Sequence, residues 1–339
     1  MKIVWVSPNG DGWSLAYRLR ELGNKVVMYN PKNKNGQGYL PQVTSAAWLD
    51  YARKADLVVC DGVPDSRRTR RSWSSSDLSV DLQQLRHSGV PVLGPTPTTE
   101  PLHNDPRYRK KILTRHELDY APDVVDGVHV TVSRDPNGTP WLIFRHKNLL
   151  GPGNGPELGN LGDVVLPASG YPIVKNTVGR FDDFLNTIGY RGYLNLDLVC
   201  TKQKLQCRDV TTSFLYPACF VQFPNLLIAS GDQPVVPGLA VTLLDLERNE
   251  SDRLVQELLD NPSVFGAELH RKPEEGGSYL HGSFAGAVVG IDKDWASVEA
   301  NVYGKLNQLV GANPGLGFRP GVGADITAHM GLLKLWGYL

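Results

Sequence analysis

Residues 145–162 read Arg-His-Lys-Asn-Leu-Leu-Gly-Pro-Gly-Asn-Gly-Pro-Glu-Leu-Gly-Asn-Leu-Gly, and the last twelve positions hold five glycines and two prolines. Each glycine in a regular element costs backbone entropy and each proline removes a hydrogen-bond donor, so this composition predicts a long loop. Such a loop lets a ligand approach the main-chain N–H groups, and His146 and Lys147 stand just upstream to meet an anion. On this reading Lys147 is a point charge for a phosphate or carboxylate. The N–H groups around Gly153, Asn154 and Gly155 complete the cradle, with Gly159 beyond. A surface crossover without a ligand has the same composition, so the stretch alone leaves both readings open.

Working outward to the N-terminus, residues 2–7 read as a buried strand, 13–22 as an amphipathic helix capped by Gly23, and 25–29 as a second strand. This βαβ unit puts the turn Asn9-Gly10-Asp11-Gly12 at the carboxyl end of the first strand, where Asn9 and Gly10 would close the other side of a ligand site. Asp11 argues against a phosphate there. Gly-x-Gly-x-x-Gly is missing, so no nicotinamide cofactor is expected. Further on come a strand at 56–60, a helix at 78–87, a strand at 90–93 and a helix at 107–118. Strands at 128–132 and 141–144 follow, joined by the turn Asp135-Pro136-Asn137-Gly138, and the second of them feeds the glycine-rich stretch. The remainder gives a short helix at 180–188, a strand from 190, mixed signals over 239–259, a strand at 285–291 and a helix at 295–309.

Several of these segments carry a resemblance. His146, Lys147, Gly155, Pro156, Gly159 and Gly162 fall without a gap in the register His-Lys-x7-Gly-Pro-x-x-Gly-x-x-Gly of the phosphoribosylamine-glycine ligase family, a member of the ATP-grasp superfamily. Gly89-Val90-Pro91-Val92-Leu93-Gly94-Pro95-Thr96 is similar to the segment that closes the first domain of that family. Tyr190-Arg191-Gly192-Tyr193-Leu194-Asn195-Leu196-Asp197-Leu198 resembles its strand entering the active site, and residues 317–326, with Arg319 and Asp325, resemble its C-terminal Tyr-Arg-x-Asp-Ile-Gly. The matches keep the family order over nearly the whole chain. They imply an α/β protein with an N-terminal parallel-sheet βαβ domain (1–96), a truncated ATP-grasp-like central domain (97–235) and a C-terminal α+β part (236–339). Carried over by position, they add Arg191, Asp197 and Arg319 to the ligand-binding set of Asn9, Gly10, Asp11, Gly12, His146, Lys147, Gly153, Asn154, Gly155 and Gly159.

The resemblance breaks where ATP chemistry is expected. The family supplies triphosphate-binding lysines and a glycine-rich flap after the Gly-Pro-Thr segment, whereas here one helix fills the interval to residue 128, which implies that the ATP lid subdomain is missing. Pro172-Ile173-Val174-Lys175 is similar to the missing strand but stands on the wrong side of the glycine-rich stretch. Where the family places oxygen ligands for magnesium, residues 205–212 offer Asp209 as the single strong ligand, with the cation Arg208 beside it. Two functions follow as alternatives. One is a protein that binds a small phosphorylated or carboxylate ligand without standard ligation and without a cofactor; the other is an ADP-forming carboxylate-amine ligase using ATP and Mg. The catalytic residues stay unassigned in both.

Composition bounds the rest. The 339 residues carry 35 Lys plus Arg against 35 Asp plus Glu, so no overall field attracts nucleic acid or an anionic membrane. Arg67, Arg68, Arg70 and Arg71 followed by Trp73 form a local basic run that could grip nucleic acid, although a solvated surface loop explains it more simply. Cys60, Cys200, Cys207 and Cys219 have no Cys-x-x-Cys spacing and read as buried free thiols of a reducing, cytoplasmic protein. Neither a signal peptide nor a membrane span is expected.

Overall fold

The computed structural model describes residues 1–30, 36–63, 75–147, 160–227, 235–245, 252–266, 269–271, 278–280 and 284–339. The N-terminal third builds a parallel four-stranded sheet in the order β2 (Lys25–Tyr29), β1 (Lys2–Val6), β3 (Leu57–Cys60) and β4 (Val92–Leu93). Helices α1 (Trp13–Glu21), α2 (Trp48–Ala52) and α3 (Ser75–His87) make the crossovers. Ile3, Val4, Trp5 and Val6 are all buried, as a parallel strand covered on both faces requires. α1 ends where Gly23 takes φ +85°, a conformation costly for other residues.

Two short helices, α4 (Glu100–Asn104) and α5 (Pro106–Arg115), lead to β5 (Asp119–Tyr120) and a second, mostly antiparallel sheet. Its strands are β6 (Val128–Arg134), β7 (Pro140–Lys147), β8 (Asn160–Pro167), β9 (Leu194–Cys200), β10 (Leu205–Thr211), β11 (Gly238–Asp245), β12 (Val264–Gly266) and β15 (Phe284–Ile291). They run in the order β12-β15-β11-β8-β7-β6-β9-β10-β5, with β16 (Leu316–Phe318) added on β11. A separate ribbon joins β13 (Leu269–Arg271) to β14 (Ser278–Leu280). Helices α6 (Pro172–Lys175), α7 (Asp182–Thr187), α8 (Ala218–Leu227), α9 (Asp252–Asp260), α10 (Trp295–Ala312) and α11 (Ile326–Leu335) complete the chain.

The hairpin between β6 and β7 forms at the expected turn. Asp135, fully buried, accepts from the N–H groups of Asn137 and Thr139 and from Trp141 Nε1, while Gly138 adopts φ +87°. The stretch 145–162, however, is not loop throughout. Arg145, His146 and Lys147 finish β7 and Asn160, Leu161 and Gly162 open β8, with Lys147 opposite Asn160 and Arg145 opposite Asp163. Ladder pairing satisfies these backbone groups, and Gly162 serves packing: a Cβ there would stand 2.8 Å from Val322 Cγ1 and 2.9 Å from the Ala240 carbonyl oxygen. Pro172–Lys175, similar in sequence to an ATP-binding strand, is a helix. The chain passes from β4 to β6 through α4, α5 and the two-residue β5, so no strand-rich lid lies between them. All four cysteines are buried and free.

Candidate functional site

Along β6 the buried valines Val128, Val130 and Val132 alternate with His129, Thr131 and Ser133. Strand side chains point to opposite faces in turn, so the second set shares one face. A cavity of about 270 Å³ opens there, lined by His129, Val130 and Thr131 with Ile143, Arg145 and His146 of β7. Asp197 of β9, Arg208 of β10 and Arg319, just after β16, complete it. Three guanidinium groups thus meet one carboxylate.

Arg145 is held on two sides. Its Nε lies 3.3 Å from Asp163 Oδ1, and its Nη2 donates to the Tyr216 carbonyl oxygen at 3.1 Å. Asp163 is fully buried and its other oxygen accepts from the Ala218 N–H, the kind of pairing a buried charge needs. Arg208 Nη1 lies 3.1 Å from His129 Nδ1, and His129 Nε2 lies 2.7 Å from the Val125 carbonyl oxygen. The imidazole proton therefore belongs on Nε2, and Nδ1 accepts from the guanidinium. Among the described residues the buried Nε of Arg208 has no hydrogen-bond partner, a donor left unsatisfied on a residue that lines the cavity. His146 Nε2 accepts from the Gly323 N–H at 3.1 Å, and burial, then the charge of Arg319, lower its pKa. That histidine is neutral, so its role here is hydrogen bonding rather than charge.

The turn Asn9–Gly12 serves a different cluster. Asp61, at the carboxyl end of β3, is buried, and its Oδ2 accepts from Ser7 Oγ at 2.6 Å, Trp5 Nε1 at 3.1 Å and Tyr216 Oη at 3.2 Å. Burial pushes its carboxyl up to about 7 against the pull of those hydrogen bonds. Gly12 donates its N–H to Ser7 Oγ, and a Cβ on it would stand 1.9 Å from Asp61 Oδ2. Asn9 and Asp11 are exposed and Gly10 is buried; none of the four lines the cavity.

Of the remaining residues singled out in the sequence, His146, Asp197 and Arg319 come together at the cavity. Arg191 is exposed, and its carbonyl accepts from the Gly94 N–H at 2.7 Å. Asp209 is opposite Asp197 in the ladder and forms an ion pair with Arg109, while its Oδ1 also accepts from the Val210 N–H. Gly153, Asn154, Gly155 and Gly159, and the run Arg67, Arg68, Arg70, Arg71 and Trp73, lie outside the described residues, as does the side chain of Lys147. Among the described residues no three His, Cys, Asp or Glu side chains gather as a metal site would need. With Asp209 engaged by Arg109, the donor set among the described residues does not fit a magnesium triphosphate. Arg145, Arg208, His129 and Thr131 were not expected at the site. For His129 and Thr131 the polar alternation of β6, visible as Val-His-Val-Thr-Val-Ser, is the signal.

Comparison with solved structures places this architecture. Phosphoribosylamine-glycine ligase from Thermotoga maritima superposes with a TM-score of 0.63 at 13% identity, over 94% of this chain and 98% of that one. The fold is that of the ATP-grasp ligases and carboxylases. N5-carboxyaminoimidazole synthetase from Staphylococcus aureus, complexed with ADP, gives a TM-score of 0.53 at 13% identity, over 91% of this chain and 98% of that one. The biotin carboxylase domain of a single-chain bacterial carboxylase gives 0.53 at 10% identity, over 99% and 100%. No protein-family model and no curated protein sequence matches the chain. Among the described residues no helix is long and apolar enough to cross a membrane.

Proposed function

We propose that this protein binds a small anionic molecule, phosphorylated or carboxylate, in the cavity on its large sheet. The observation that carries the reading is the convergence of Arg145, Arg208 and Arg319 on a space of about 270 Å³ that holds a single carboxylate, Asp197. Guanidinium groups are suited to such anions because their planar donors match two oxygens at once. Arg145 is compensated by Asp163, which leaves Arg208 and Arg319 against Asp197 and a net attraction for negative charge. The volume lies just below the usual 300–1,000 Å³ of drug-sized sites and suits a compact ligand.

Titration calorimetry with sugar phosphates and small dicarboxylates tests this. Arg319→Ala removes an exposed guanidinium and no packing, and a lost charge-assisted hydrogen bond of about 2 kcal/mol weakens binding roughly thirtyfold. Equal affinity of wild type and Arg319→Ala for the best ligand sinks the reading. The shared fold with ATP-dependent ligases supports a second reading, ADP-forming ligation, in which ATP would phosphorylate a carboxylate with release of ADP and an amine would then displace phosphate from the acyl phosphate. Among the described residues the oxygen ligands do not fit magnesium, which weighs against this second reading. ADP released from ATP only when a carboxylate and an amine are both present would establish this second reading.

A further inference from the structure

The anion cavity and the N-terminal sheet are joined by a short chain of hydrogen bonds that binding alone does not require. Arg145, which lines the cavity, donates to the carbonyl oxygen of Tyr216 at 3.1 Å, and the hydroxyl of the same tyrosine donates to Asp61 at 3.2 Å. Two more bonds run beside it: the Phe214 N–H donates to the Asp61 carbonyl oxygen at 2.8 Å, and the Val63 N–H to Ser213 Oγ at 3.1 Å. The segment 213–216 is thereby clamped to the carboxyl end of the parallel sheet and touches the cavity through Arg145.

We infer that Tyr216 is a positioning residue through which the charge state of Asp61 sets the affinity of the cavity for anions, an inference that rests on the binding reading above. The three donors on Asp61 Oδ2 suit an ionised carboxylate, which accepts at several lone pairs per oxygen pair. A neutral carboxyl is a weaker acceptor than a carboxylate, so the bonds to Oδ2 weaken on protonation. The bond of Tyr216 is the longest of them, and it is the one that crosses to the other sheet. Burial brings the carboxyl to about 7, so both forms are populated near neutrality. The titratable groups facing Asp61 are Asp11 from the turn after β1, Tyr216 from the clamped segment, Cys219 from α8 and the adjoining Cys60. Burial pushes the tyrosine and both thiols well up, so Asp61 is the member of this group placed to change charge between pH 5 and 8.

Ionised Asp61 thus holds Tyr216, and through its carbonyl the guanidinium of Arg145, more firmly than neutral Asp61 does. Anion affinity accordingly falls as pH drops through about 7. A positive charge gained by His146 at low pH would strengthen anion binding, so it works in the opposite direction and cannot produce this loss.

Sulfate is a suitable probe, because its charge is constant over this range. Its dissociation constant is measured by calorimetry between pH 6 and 8.5 for the full chain and for Tyr216→Phe, Asp61→Asn and Arg319→Ala. Tyr216→Phe deletes one hydroxyl and keeps the ring; its circular dichroism and melting temperature are compared with wild type at each pH. The coupling predicts that wild type binds about fivefold more tightly at pH 8 than Tyr216→Phe, and that the difference vanishes at pH 6. Asp61→Asn should bind like wild type at pH 6 throughout. A constant ratio between wild type and Tyr216→Phe across the range overturns the coupling while leaving the cavity reading in place. Sulfate binding that Arg319→Ala does not weaken, or no saturable binding at any pH, overturns the cavity reading and the coupling with it.

Discussion

Gly12 shows how much a single residue decides here. A Cβ at this position would meet Asp61 Oδ2 at 1.9 Å and both Trp5 Nε1 and Tyr216 Oη at 2.6 Å, so the hydrogen-bonded cluster closes only around a glycine. Gly12→Ala must push a buried carboxylate or an indole aside, at a cost of about 3 kcal/mol by the usual toll of overpacking. Chemical denaturation should show it as a lower midpoint at unchanged slope; wild-type stability would mean that the turn relaxes without disturbing Asp61. In the sequence Asn9 and Gly10 of this turn read as closing one side of a ligand site. The structure shows Gly12 making room for a carboxylate of the protein itself, which brings negative charge rather than accepting it. A sequence can display a glycine, but the atom that occupies the space next to it arrives from residues 49 and 204 positions away.

At the scale of one element, α5 connects local chemistry to the site. Asp105 accepts from the N–H groups of Arg107 and Tyr108 at 2.8 and 3.1 Å, and Pro106 follows at the first helical position, so the helix start is written in two adjacent residues. Arg109, one turn in, donates to the carbonyl oxygens of Leu102 and His103 and pairs with Asp209, so β10 does not present a free carboxylate there. Asp105→Ala should cost about 1 kcal/mol and lower the melting temperature by about 2 °C. No change in a thermal melt would show that the cap contributes nothing. The strand β8 is the opposite case. Its residues Asn160, Leu161 and Gly162 read as loop because glycine and asparagine have low strand propensity, yet pairing with β7 and β11 overrides that preference.

Across the whole molecule one continuous apolar core links the two sheets, running from Ile3, Trp5 and Trp13 to Val130, Leu142, Leu196 and Leu239. A second core, with Val4, Val6, Leu78 and Leu82, fills the other face of the parallel sheet. Arg18 of α1 adds hydrogen bonds to the carbonyl oxygens of Asn261 and Val264 at 2.6 and 2.8 Å. Parts that share a core lose it together, so heat or denaturant should unfold the chain in a single transition. Far-ultraviolet circular dichroism and tryptophan fluorescence must then give coincident curves; two separated midpoints would show that the sheets unfold independently. The sequence by itself determined the opening βαβ unit, the β6–β7 turn and the order of segments shared with the ATP-grasp ligases, because these depend on local periodicity, turn chemistry and short motifs. It also singled out His146, Asp197 and Arg319, each inside such a motif, and these line the cavity. Only the tertiary structure decided that these three meet Arg145 and Arg208 in one cavity, that Asp209 is spent on Arg109, and that Asp61 faces Tyr216 across the two sheets. Those facts depend on strand pairing between residues far apart in the chain, and the neighbour that sets the charge, burial and hydrogen bonding of each side chain is fixed only once those strands have found one another.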